Sequence, residues 1–139
     1  MPPWMRAVAA GIVAFPCLDF LWLAVLMKDF YREGLGDLAR KAPDGSMDVL
    51  WAAAVPVYVV LVAGIYWFVL PRAADGSLAT AARWGALFGL VAYGLYDLTN
   101  LATLRGYTLK LTLVDMGWGA VACATVAVIM RAAAGTAAR

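Results

Sequence analysis

Three aspartates stand inside or beside long apolar stretches of the sequence, where a charged side chain is unusual. Asp19 lies within the first stretch, Asp97 within the third and Asp115 near the start of the fourth. Inserting an aspartate at the centre of a membrane helix costs about 2.5–3.5 kcal/mol, and such residues usually mark ion, proton or ligand sites. Carboxyl groups in this setting can bind a cation, exchange a proton or act as an acid–base pair.

The stretches that carry these aspartates are long enough to cross a lipid bilayer as α-helices. Hydrophobic residues make up 65% of the 139-residue chain, compared with about 45–50% in soluble domains. A transmembrane helix needs about 20 apolar residues and pairs its backbone amides within the segment. We therefore predict an all-α integral membrane four-helix bundle, a single domain over residues 1–139, with helices at about 7–27, 49–70, 81–104 and 111–130.

The connections between these helices are short, except for residues 28–48. An even number of spans puts both termini on the same side of the bilayer. A signal peptide is the alternative for the first stretch, but the apolar run exceeds the usual length of about 7–15 residues and no small-residue cleavage site follows. We therefore expect the first helix to be retained. Lysine and arginine are divided almost evenly between the two sides, so the orientation stays open.

The three aspartates are predicted to lie in the same half of the membrane. At the helical rise per residue, Asp19 lies about 13 Å before Lys28, and Asp97 lies about 12 Å before Arg105. We expect the polar faces to meet in a pocket open toward residues 28–48 and 105–110, with Asp19 and Asp97 sharing a proton and Asp115 ionised near Lys110. The predicted ligand or proton site consists of Asp19, Trp22, Tyr58, Tyr93, Tyr96, Asp97, Asn100, Asp115 and Trp118, with Arg105 and Lys110 as charge partners.

Several classes of site are excluded by composition. Histidine is absent from the sequence, which removes His-ligated haem, His zinc sites and His-based catalytic triads. Cys17 and Cys123 lie in separate apolar stretches without metal-ligand spacing, so we predict no metal and no cofactor. A net charge of +2 without a basic run gives no indication of a nucleic-acid partner. The predicted partner is the lipid bilayer.

Residues 93–104 read Tyr-Gly-Leu-Tyr-Asp-Leu-Thr-Asn-Leu-Ala-Thr-Leu. This segment resembles the signature of a bacterial family of predicted four-helix membrane proteins that has no assigned function. Residues 19–23, 30–32 and 110–119 also resemble this family, so the resemblance covers nearly the whole chain. Where the family would carry Trp-Pro, this chain has Tyr107-Thr108. The resemblance implies a four-helix membrane fold and, for a bacterial protein, the cytoplasmic (inner) membrane, but it implies no activity.

Three classes of function remain open. A polar cleft in an apolar bundle is typical of a ligand site, which predicts a protein that binds or handles a small molecule or a lipid. A proton-coupled carrier would exchange a proton for a cationic or polar ligand, and it would need a homodimer because four helices are few to enclose a path. A membrane enzyme would use paired carboxyls for acid–base chemistry on a lipid or isoprenoid. In a structural or regulatory subunit, the polar residues would only join helices by hydrogen bonds.

Overall fold

The computed structural model describes residues 1–135, and this part of the chain is built from helices. Four continuous helical segments, Pro3–Leu26, Trp51–Ala73, Leu78–Thr103 and Leu109–Ala134, are long and apolar enough to cross a membrane. The predicted all-α membrane bundle is therefore confirmed. The elements are α1 (Pro3–Asp19, continued by a π-helix over Phe20–Leu26), α2 (Lys28–Leu35), α3 (Trp51–Gly64, continued by a π-helix over Ile65–Val69 and a 3₁₀ turn over Leu70–Ala73), α4 (Leu78–Thr103) and α5 (Leu109–Ala134).

The ends of the helices differ from the predicted ones for local reasons. The first helix begins at Pro3 because proline is well suited to the first helical position, where its missing amide hydrogen leaves no bond unmade. The helical path of α3 continues through Pro71 as a 3₁₀ turn. The predicted connection 28–48 begins with the helix α2, whose Tyr31 is buried. This short helix becomes part of the candidate site.

Helices α4 and α5 pack with their backbones in contact because glycines face each other at their crossing. A Cβ atom added at Gly89 would lie 2.0 Å from the carbonyl oxygen of Gly119, and one added at Gly85 would lie 2.6 Å from the carbonyl oxygen of Cys123. Small residues spaced four apart allow this close approach between membrane helices. Helix α5 also packs along α1, so α5 lies at the centre of the arrangement.

Two arginines donate hydrogen bonds at the end of the bundle where α1 begins and α5 ends. Arg131 Nε donates to the Ala73 carbonyl oxygen at 2.8 Å, and Arg6 Nη2 donates to the Ala134 carbonyl oxygen at 2.9 Å. Both acceptors lie at the last residue of a helix, where carbonyls lack intrahelical partners and cations are favoured. The start of α1 and the end of α5 therefore meet on one side of the bundle. We call this the terminal end, and the opposite one the loop end.

Helix α3 joins the bundle unevenly. Between Trp51 and Gly64 it packs on α1, whereas its contacts with α4 come mainly from residues 65–73, near the connection to α4. Val57 and Val60 on α3, and Leu95 on α4, are more than half exposed. In the half of the membrane nearer the loop end, few contacts join α3 to α4.

Candidate functional site

A cavity of about 230 Å³ lies in this half of the membrane, between α1, α4 and α5 and beneath α2. Apolar side chains of Leu23, Leu35, Met47 and Leu111 form part of its wall. The polar and aromatic part of the wall consists of Asp19, Tyr31, Tyr93, Tyr96, Tyr107, Asp115 and Trp118. The sequence pattern thus places polar groups from separate helices around one space, with two of the three aspartates at its surface.

Asp115 is held by a tyrosine from α2. The Tyr31 hydroxyl donates to Asp115 Oδ1 at 2.5 Å, and Trp22 Nε1 donates to the Tyr31 hydroxyl oxygen at 3.0 Å. Burial and then the hydrogen bond to Asp115 raise the pKa of Tyr31 well above its ordinary value of 10. The hydroxyl therefore remains a neutral donor across the physiological range. The chain of hydrogen bonds runs from α1 through α2 to α5.

Asp97 has no solvent-exposed surface. Its Oδ1 accepts a 2.5 Å hydrogen bond from the Tyr107 hydroxyl. Its Oδ2 is also buried, and within residues 1–135 it has no hydrogen-bond partner. The carboxyl group of Asp115 is its nearest acidic neighbour. Asp97 is therefore half satisfied, which is unusual for a buried polar group.

Asp19 is bound by aromatic groups on two other helices. Trp118 Nε1 donates to Asp19 Oδ1 at 2.8 Å, and the Tyr58 hydroxyl lies close to the same carboxyl group. The Trp118 ring stacks on Trp22 with centroids 4.5 Å apart and planes within 2° of parallel. This stack fixes the direction of the indole donor. Asp19 therefore faces the cavity in a defined orientation.

The turn between α4 and α5 positions Tyr107. Gly106 has a φ of 87°, a backbone conformation that glycine adopts without strain. Thr108 then caps α5, because its Oγ1 accepts a hydrogen bond from the Leu111 amide at 3.1 Å. Between these fixed points the Tyr107 side chain is buried, and burial followed by the hydrogen bond to Asp97 raises its pKa. The turn thus places the neutral Tyr107 hydroxyl next to the buried carboxyl group of Asp97.

An apolar cluster covers the loop end of the cavity. Its buried core is Tyr31, Tyr107 and Leu111, and partly buried Trp22, Met27, Phe30, Leu35 and Leu101 pack around it. The sequence predicted a pocket open toward residues 28–48 and 105–110. The structure corrects this prediction in part. The first connection begins with α2 and the second turns inward, so both cover the loop end, whereas Met47, later in the first connection, lies half-exposed at the edge of the cavity.

Most of the predicted site residues lie together. Asp19, Trp22, Tyr58, Tyr93, Asp97, Asp115 and Trp118 line the cavity or contact a residue that does. Tyr96 stands at the edge with 60% of its surface exposed, and Asn100 lies within hydrogen-bonding reach of Tyr96 rather than of the aspartates. Asp97 neighbours Asp115, whereas the sequence analysis expected it to share a proton with Asp19.

The predicted charge partners lie elsewhere. Lys110 Nζ lies 5.4 Å from the centroid of the Phe30 ring. Across residues 1–135 the ion pairs are Arg32–Asp29 and Lys41–Asp37, both on the surface, so neither Lys110 nor Arg105 pairs with a cavity carboxyl. The same residues contain no group of three potential metal ligands. The donors that contact the three aspartates are therefore neutral hydroxyl and indole groups.

Tyr31 and Tyr107 belong to the site but were not predicted from the sequence. Both lie in connections between spans, where an aromatic residue is ordinarily assigned to the membrane surface. The available signal was their hydroxyl group. A buried carboxyl needs donors, and tyrosines next to the spans are within reach of carboxyls one to two turns inside the membrane. A search for neutral donors instead of cations would have included them.

The chain belongs to a family of predicted membrane proteins, because the family model described as "Predicted membrane protein (DUF2177)" matches residues 4–132. The protein is accordingly an integral, multi-pass membrane protein. No curated protein and no solved structure matches the chain.

Proposed function

We propose that this member of the family binds a small molecule or a lipid headgroup in the cavity, and that its carboxyl groups exchange a proton as the ligand binds. One observation carries the proposal. Asp97 is fully buried, yet its Oδ2 atom has no hydrogen-bond partner within the described residues. A carboxyl that served only to join helices would be expected to have both oxygens satisfied, because a buried acceptor without a donor costs about 1–3 kcal/mol.

A proton accounts for this unpaired oxygen. Protonated at Oδ2, Asp97 becomes a neutral acid that can donate toward the neighbouring carboxyl of Asp115. The two groups then titrate as a pair that holds one proton. A ligand that brings a positive charge or a hydrogen-bond donor to Asp115 weakens the hold on this proton. Binding and proton release are thereby linked.

The charge of the cavity also supports a ligand. Asp19, Asp97 and Asp115 receive hydrogen bonds from Trp118, Tyr107 and Tyr31 respectively, and all three donors are neutral. No ion pair to a basic residue compensates the carboxyls in residues 1–135. Buried charges are normally paired or neutralised. We therefore assign the neutralisation of these carboxyl charges to protons and to the ligand.

Acid–base catalysis on a lipid or isoprenoid is the second candidate function. It is favoured by the different settings of the two neighbouring carboxyls, since Asp97 is fully buried whereas Asp115 lines the cavity. Two carboxyls whose environments differ can take separate acid and base roles. Under this reading a substrate would react beside Asp115, with Asp97 as the proton reserve.

The test is to identify what the purified protein retains from the membrane. Wild type, Asp115→Asn and Asp48→Asn are purified in parallel, and their extracts are compared by mass spectrometry. Asp48 is a matched control because it is exposed and lies outside the cavity wall. We expect one species to be retained by wild type and Asp48→Asn and lost from Asp115→Asn. Identical extracts from three equally folded proteins would contradict ligand binding and favour a purely structural role for the aspartates.

A further inference from the structure

The cavity opens sideways toward the bilayer. At its loop end the cavity is covered by the cluster of Tyr31, Tyr107 and Leu111. Its wall reaches the protein surface at Leu23, Met47 and Tyr96, which are 39%, 50% and 60% exposed. This edge lies on the side where α3 stands away from α4, so we call these three residues the lateral opening. A molecule entering here comes from the lipid phase.

The inner wall of the cavity is suited to a cation. Asp19 and Asp115 reach the surface of the cavity, and the unpartnered Oδ2 atom of Asp97 lies behind Asp115. Tyr93 and Trp118 add aromatic rings to the same wall. An ammonium group is attracted both by carboxylates and by the faces of aromatic rings. An anionic head would meet uncompensated acids and be repelled.

The volume limits how much of a ligand can fit. A cavity of about 230 Å³ holds roughly eight water-sized groups at about 30 Å³ each. That is room for an ammonium head and a few methylene groups, and it is below the range of about 300–1,000 Å³ that is usual for whole drug-sized ligands. A longer apolar chain must leave through the lateral opening. Outside this opening, exposed apolar side chains of α3 and α4 lie in the lipid, where the hydrocarbon chain of the ligand would also lie.

We infer that the cavity takes the ammonium head of a single-chain amphiphile, which enters through the lateral opening while its chain remains in the bilayer between α3 and α4. This inference rests on the proposed function and names its ligand class. The amine enters from the lipid as the neutral base, and its nitrogen takes the proton held between Asp97 and Asp115, so an ammonium group paired with the carboxylates remains in the cavity. The hydrocarbon chain of the ligand raises the ligand's concentration near the site, because a molecule dissolved in the bilayer is already at the depth of the opening.

Three probes separate the contributions of head and chain. The full chain is placed in phosphatidylcholine nanodiscs, and bound dodecylamine, butylamine and dodecanol are counted by native mass spectrometry at equal bulk concentration. We expect one saturable dodecylamine per chain, with occupancy at least tenfold lower for butylamine, for dodecanol and for dodecylamine with Asp115→Asn. Asp48→Asn should match wild type.

A matched pair of variants tests the route. Leu23→Trp narrows the lateral opening, whereas Leu26→Trp adds the same bulk three residues further along the exposed π-helix, outside the cavity wall. We expect dodecylamine occupancy to fall at least tenfold in Leu23→Trp and to stay unchanged in Leu26→Trp. Equal occupancy in these two variants would overturn lateral entry.

The outcomes distinguish this inference from the proposed function. If butylamine binds as well as dodecylamine, the ligand is a soluble amine and the amphiphile is overturned. If neither amine binds while wild type still retains a species that Asp115→Asn loses, the cationic class is overturned and the proposed function stands. Only the absence of any such species removes both.

Discussion

The contact between Gly89 and Gly119 gives the sharpest prediction about stability. In Gly89→Ala the new Cβ would lie 2.0 Å from the Gly119 carbonyl oxygen, whereas ordinary contact begins at 3.4 Å. No side-chain rotation relieves an overlap between a Cβ and a backbone atom, so α4 and α5 must move apart. Overpacking costs typically about 1–3 kcal/mol, and we expect the upper part of this range. The better helix propensity of alanine returns about 1 kcal/mol, which leaves a net loss of about 2 kcal/mol.

Gly117→Ala is the matched control, because a Cβ at Gly117 meets nothing within 4 Å. It lies two residues from Gly119 on the same helix, and it should gain up to about 1 kcal/mol from propensity alone. Unfolding in mixed micelles of a mild detergent and sodium dodecyl sulfate, followed by circular dichroism, measures both variants. The two should differ by about 3 kcal/mol. If Gly89→Ala is as stable as Gly117→Ala, the helices are not in backbone contact and the account of α4–α5 packing is wrong.

Three further predictions use the same unfolding assay. Tyr107→Phe should cost about 1–3 kcal/mol, because it removes the donor to Asp97 Oδ1 and leaves this buried oxygen without a hydrogen bond. Tyr31→Phe should flatten the alkaline loss of stability. Because the pKa of Tyr31 is raised in the folded protein, its contribution to stability is complete below the unfolded pKa of about 10 and is lost as the pH rises above it. The loss amounts to about 1.4 kcal/mol per pH unit, and the slope of unfolding free energy against pH should be smaller by that amount in the variant. Lys110→Met should change stability by no more than about 0.5 kcal/mol, because Lys110 lies over the Phe30 ring and pairs with no carboxyl in residues 1–135; a larger loss would restore the predicted ion pair with Asp115.

The sequence was sufficient to predict four membrane-spanning helices, because length and apolarity define a span. The rise per residue also gives the distance of Asp19 or Asp97 from the end of its helix. This arithmetic needs no knowledge of which helices are neighbours. In the structure Asp19 and Asp115 line one cavity near the loop end.

The pairing of the acids depends on tertiary contacts that no single helix encodes. Gly89 and Gly119 bring α4 and α5 closer together than any other pair of spans. Because these two helices are antiparallel, Asp97 and Asp115 lie on the same side of this crossing and become neighbours. Asp19, on α1, turns to Trp118 instead. Glycine spacing alone does not show which helix packs against these glycines, nor the consequence for the carboxyls.

The position of the cavity argues for a binding protein over a carrier that works as one chain. A carrier must expose its site alternately to both sides of the membrane. Between the cavity and the terminal end, however, Ile65, Val126 and Met130 are completely buried, and Arg131 fastens Ala73 beyond them. Opening that path would separate these completely buried side chains, whereas α2 is short and packs on one small apolar cluster. Exchange with the loop end or with the lipid therefore requires far less rearrangement than passage through the chain, and transport across the membrane would call for a second subunit.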